Sequence, residues 1–241
     1  MRPKCNITNI RKALRHPRLI LLLLKGYGEI ELAKEHVAIH LRQASKMEMN
    51  VNGLDSIDMV CRAIDLCSNS CYDKQYLYLV CLYTCPELVV ETGVHYGVSS
   101  SFILKALEKT GGRLYSIDLP NVQYQGDDGA FHLDALPQGS ETGFVIPEPL
   151  KANWELIIGD SRKKLPELLQ FVGNIDIFHH DSTNTYDLMT YEYETVWPYL
   201  KNDGLLISDD ADWNNAFEDF CHRYSADYTI YRHIGIAKKS T

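Results

Sequence analysis

The sequence predicts an α/β fold in which a mainly parallel, seven-stranded sheet is doubly wound with helices. Three observations carry the prediction. From Pro86 onward, short apolar runs ended by small or acidic residues alternate with amphipathic segments, the pattern of strand, crossover helix and strand. The first of these runs opens directly into a glycine-bearing turn, and later runs end in acidic residues. Right-handed crossovers place every strand's carboxyl end on one edge, where ligands of open α/β sheets bind.

Taken in order, residues 1–85 read as helical, with apolar residues at helical spacing over 30–45, 56–67 and 73–83 and no catalytic motif among them. The strands are expected at 88–91, 113–117, 155–158, 175–179 and 204–208, with a final pair at 228–231 and 234–237. Helices fall between them on three apolar stripes. Phe102, Ile103, Ala106 and Leu107 form the first, and Leu165, Leu168, Leu169 and Val172 the second. Met189, Tyr193, Val196, Trp197 and Leu200 form the third. The division is therefore a helical arm or cap at 1–85 and a core at 86–241. The long connection 119–154, with its Gly- and Asp-rich stretch 125–129, is expected to form a lid over the ligand edge.

Bulk properties bound the function. A chain of 241 residues with 45% hydrophobic and 10% aromatic content has material for one large domain. A net charge of −8 gives no general attraction to phosphate backbones, so nucleic acid is not an expected partner. Residues 1–25 are the exception, with seven basic side chains and the apolar run 19–24, which is too short to span a bilayer. An arm packing on a second subunit is the expectation there, in preference to membrane docking. Seven cysteines without paired CxxC spacing read as free thiols, and a cytoplasmic, reducing location is expected.

The strongest motif is Leu88-Val-Val-Glu91-Thr-Gly93-Val-His-Tyr-Gly97-Val-Ser99. Gly93 and Gly97 allow a tight turn and close backbone approach, and the following helix start and Ser99 offer donors to an anion. The spacing is not GxGxxG, so the dinucleotide fingerprint fails. The next strand ends in Asp118, a residue that serves as a turn or cap, or accepts the hydroxyls of a ribose. The third ends Gly159-Asp160-Ser161, which fits an ordinary helix cap as well as a nucleoside contact. The fourth and fifth end in His179-His180-Asp181 and Asp209-Asp210. Carboxylates this close need a cation, a shared proton or good solvation, and an all-oxygen set favours a hard divalent ion. Because adjacent strand residues face opposite ways, His179 is expected in the core.

Together these segments resemble class I S-adenosylmethionine-dependent methyltransferases of the macrocin and catechol O-methyltransferase-like group. The most specific pieces are E-T-G-x-x-x-G-x-S at 91–99, the His180–Tyr186 block and the Asp209-Asp210 pair. The resemblance implies a Rossmann-like sheet of order 3-2-1-4-5-7-6. It also implies that Glu91, Gly93, Tyr96, Gly97 and Ser99 surround the methionine part of the cofactor, Asp118 the ribose, and Asp160 with Ser161 the adenine. Asp181 would border cofactor and acceptor, Asp181 and His180 would act in catalysis, and Asp181, Asp209 and Asp210 would hold Mg²⁺. The implied activity is methyl transfer to a hydroxyl of a small molecule of sugar or natural-product type, by a chain that the family leads one to expect as a homodimer.

One position departs from the family. Three residues after Asp181, many relatives carry a His or Lys suited to proton abstraction, but here the residue is Asn184, whose amide is no base near neutral pH. The departure keeps open a cofactor-binding module without turnover, while the strand-turn-helix and Asp118 keep open a nicotinamide-dependent oxidoreductase on a similar sheet.

Overall fold

A computed structural model gives the fold of the protein and describes residues 28–67, 73–120, 136–137 and 139–240. The basic segment 1–25 and the stretch 125–129 lie outside the described residues. Helices α1 (Glu29–Ala44), α2 (Ser56–Cys67) and α3 (Tyr76–Thr84) precede the sheet, and a short 3₁₀ turn, Asp73–Gln75, leads into α3. Strand β1 (Leu88–Thr92), α4 (Val98–Thr110), β2 (Arg113–Asp118), β3 (Trp154–Ile158), α5 (Ser161–Val172) and β4 (Ile175–His180) follow. The chain ends with α6 (Tyr186–Val196), β5 (Leu200–Ser208), α7 (Ala216–Tyr224), β6 (Asp227–Tyr231) and β7 (Ile234–Lys238).

These strands form one sheet of order β3-β2-β1-β4-β5-β7-β6, the order that the resemblance implies. The first five are parallel and β7 runs antiparallel to both β5 and β6. Period-two alternation splits the core in two. Val89, Leu114, Ile177 and Ile207 join the side chains of α1–α4 on one face, while Val90, Tyr115, Phe178 and Leu206 join those of α5–α7 on the other. The helices that precede the sheet thus cover one of its faces and share its apolar core. The far half of the 119–154 connection also packs inward, with Phe144, Val145, Ile146 and Leu150 buried.

Helix ends follow local chemistry. Asp160 caps α5 by accepting the Arg162 amide at 2.9 Å, and Thr185 caps α6. Glycine in the left-handed region closes α4 at Gly111. Among the described residues, no helix is long and apolar enough to cross a membrane. The described cysteines are free thiols, and burial pushes those of Cys67 and Cys221 up to about 12.

Candidate active site

The strand-end residues singled out by the sequence come to the carboxyl edge of β1 to β5, but they do not all face the same way. Glu91 and His179 are partners in the β1–β4 register, as are Thr92 and His180. Alternation sends the first pair toward α4 and the second toward α6.

Glu91 is fully buried. Its carboxylate accepts the hydroxyls of Ser99 and Ser100 at 2.5 Å and of Ser116 at 2.9 Å, with His179 Nδ1 at 3.4 Å. Burial alone would push the Glu91 carboxyl up, but His179, Ser100 and Ser99 outweigh it and hold the group below the usual carboxylate range. Glu91 and Ser99, expected beside the methionine part of a cofactor, are therefore turned inward, where they tie the turn to the sheet. His179 is buried beside them, as its alternation predicts.

His180 is also enclosed. It has no exposed surface, and its Nδ1 lies 2.8 Å from Glu192 Oε2, an oxygen that also accepts the Thr92 hydroxyl at 2.6 Å. Ser182 donates to the same carboxylate at 3.2 Å. In this structure the His180 side chain is engaged in a buried pairing with Glu192.

The glycine turn is held from two sides. Gly93 has φ +85°, and a Cβ there would lie 2.0 Å from the Asp181 carbonyl oxygen. At Gly97, φ +91°, it would meet Ile146 at 2.7 Å and Gly143 at 2.8 Å. Much of the close approach that these glycines permit is therefore made by the chain itself. The amides of Gly143 and Val145 donate to the carbonyls of His95 and Tyr96, laying the far half of the long connection against the turn. Tyr96 stacks on the exposed His95, with ring centroids 4.1 Å apart, and meets Phe144 edge-on. Asp118 clamps the turn from β2, its Oδ2 accepting the amides of His95 at 2.7 Å and Val94 at 3.2 Å. It remains partly exposed, and a carboxylate oxygen has lone pairs to spare for further donors.

The acids at the ends of β4 and β5 are divided. Asp210, in the left-handed region at φ 47°, accepts the Asn184 amide at 2.9 Å. Asp181 and Asp209 instead converge on a residue that sequence reasoning passed over: the Lys74 ammonium lies 3.0 Å from Asp181 Oδ2 and also bonds Asp209 Oδ2. Burial disfavours the ammonium, but the two carboxylates outweigh it and hold Lys74 protonated well above the usual lysine range. Burial pushes Asp181 up, while the Lys74 charge brings Asp209 down. Two carboxylates sharing one ammonium leave one of them the readier to take a proton. Glu192 was also missed, although it occupies the Met189 side of the α6 stripe. A carboxylate at a core position needs partners, and that was its signal.

A groove of about 570 Å³, lined in part by Met49, Tyr78, Tyr83 and Lys109, lies by the far ends of α3 and α4. Its lining includes none of the strand-end acids, and the converging charges favour the strand edge as the site.

The family model described as "Methyltransferase domain" matches residues 90–211. Among solved structures, the chain resembles the SAH-bound methyltransferase PaMTH1 of Podospora anserina at 11% identity, with a TM-score of 0.53 over 86% of this chain and 88% of that one. It also resembles the calicheamicin methyltransferase CalS11, at 16% identity and a TM-score of 0.51, covering 85% and 91% of the two chains. The O-methyltransferase TomG of Streptomyces achromogenes, solved with SAM, is similar at 14% identity and a TM-score of 0.51, covering 85% and 96%. No curated protein sequence matches the chain.

Proposed function

Because the chain belongs to the methyltransferase-domain family, we propose that it binds S-adenosylmethionine across the carboxyl ends of β1 and β2 and methylates a hydroxyl of a small molecule of sugar or natural-product type. The observation that carries this reading is the meeting, on one edge, of the Asp118-clamped glycine turn with the carboxylates of Asp181 and Asp209.

The residues suit the cofactor. Asp118 is partly exposed beside a turn of positive-φ glycines, the donor and acceptor set for a ribose next to a backbone cradle. Asp160 and Ser161, at the end of β3, are assigned to the adenine side, and Tyr96 to the wall of the turn. Glu91 and Ser99 act from within by fixing the turn's shape, and His180 acts through Glu192 by holding the end of β4. When bound, S-adenosylmethionine supplies the methyl group, its sulfonium carbon–sulfur bond breaking as the acceptor oxygen–carbon bond forms. Asp181, whose backbone touches Gly93 and whose carboxylate faces the edge, accepts the hydroxyl proton. With Asn184 hydrogen-bonded to Asp210, this role does not fall to the position where relatives carry a base.

A divalent metal does not fit the described arrangement, because Lys74 already lies between two of the three expected ligands and the third faces Asn184. A nicotinamide cofactor is disfavoured by the absent GxGxxG spacing and by the antiparallel β7, which the six-stranded dinucleotide sheet lacks. The acceptor class rests on TomG, an O-methyltransferase involved in tomaymycin synthesis, and on CalS11, a calicheamicin methyltransferase, both of the same fold.

The test is transfer of isotopically labelled methyl from S-adenosylmethionine to a panel of glycosides and phenols. Label in an acid-stable ether product supports the reading. Cofactor binding with no transfer to any acceptor would instead favour a module without turnover.

A further inference from the structure

From the placement of Lys74 we infer that the protein carries its own resident cation, the Lys74 ammonium, in the place that a divalent ion would take between Asp181 and Asp209. The inference rests on the methyltransferase reading for its catalytic meaning, but its geometry is independent of that reading. The 3₁₀ turn Asp73–Gln75, at the start of α3, delivers Lys74 to the edge from a point 135 residues before Asp209. The Lys74 side chain is 14% exposed, and those of its partners are 27% and 12% exposed, so one of the two carboxylate charges is offset from within the chain at a largely enclosed position. Among the described residues, His233 Nε2 also stands 3.6 Å from Asp209 Oδ1.

An ammonium has three donors. Two are engaged by Asp181 and Asp209, and we assign the third to an acceptor oxygen. Lys74 thereby performs two tasks of a metal: it relieves the repulsion of the acids and offers positive charge where the acceptor loses its proton. The division of the three acids follows from this. With Lys74 held by Asp181 and Asp209, Asp210 is left to bond Asn184, and the acceptor's proton falls to Asp181 instead of position 184.

The experiment titrates Mn²⁺ into chelator-treated full chain and follows the free ion by electron paramagnetic resonance. Wild type, Lys74→Met and the double variant Lys74→Met/Asp181→Asn are compared, and each variant's fold is checked by circular dichroism. Wild type is expected to show no saturable uptake up to about 1 mM, the weak limit of oxygen-ligand cation sites. Lys74→Met should take up one equivalent, and the double variant should lose it. Methyl transfer by wild type should be unchanged by EDTA. Stoichiometric Mn²⁺ uptake by wild type would overturn the proposal, as would a folded Lys74→Met that takes up none. If Lys74→Met fails to fold, the wild-type titration still decides. A chain inactive on every acceptor counts against the methyltransferase reading, and the Mn²⁺ titration then judges Lys74 on its own.

Discussion

The Thr92 hydroxyl, at the end of β1, donates to the Glu192 carboxylate on α6 at 2.6 Å, and this one bond ties the ligand edge to the helix behind it. His180 and Ser182 share the same carboxylate. Burial would push the Glu192 carboxyl up, but His180 and the neighbouring hydroxyls hold it below the usual range. Glu192→Ala leaves those buried partners without an acceptor and should lower stability by about 3–5 kcal/mol. Chemical denaturation checks this. A loss below about 1 kcal/mol, that of an ordinary hydrogen bond, would show the network to be incidental.

Acid should weaken the fold through the same kind of group. A carboxyl held below its ordinary value of 4.5, as Glu91 is, binds fewer protons folded than unfolded in that window. Its contribution is fully present above 4.5 and is lost as pH falls through the depressed folded value. Stability measured from pH 6 downward should therefore fall, and Glu91→Gln should start lower and show a shallower slope. An unchanged slope in the variant would contradict the assignment.

Gly93→Ala should be poorly tolerated. The left-handed conformation alone costs a side chain about 1–2 kcal/mol, and the new Cβ would also press on the Asp181 carbonyl. Reduced stability together with weakened cofactor binding is expected in thermal melts and titration. Wild-type behaviour in both would mean that the turn opens freely.

Asp181→Asn removes the proposed proton acceptor while leaving the side chain's shape. Turnover should fall by roughly 10²–10⁴-fold, with affinity for S-adenosylhomocysteine nearly unchanged. A fall in affinity with turnover retained would reassign Asp181 to cofactor binding.

The fold was legible because its signals are local. Apolar runs, stripes at helical spacing, the Gly93–Gly97 turn and the cap at Asp160 are all read within a few residues. The strand-end positions of Asp118, Asp181 and Asp209 followed from the same pattern. The direction of each side chain did not. Glu91 and Ser99 look like ligand contacts in the motif, and only the β1–β4 register and α4 reveal that they face inward. Lys74 had no local signal, because its meaning depends on partners more than a hundred residues away. Glu192 could have been flagged as an acid on a buried stripe, but its partners Thr92 and His180 emerge only from tertiary packing.

The central claim is tested most directly by isothermal titration of the purified chain with S-adenosylmethionine and S-adenosylhomocysteine, alongside Asp118→Ala. Saturable, micromolar binding with one equivalent, lost in the variant, is the predicted result. Absence of binding by the folded wild-type chain would contradict the account and leave a methyltransferase fold without its cofactor.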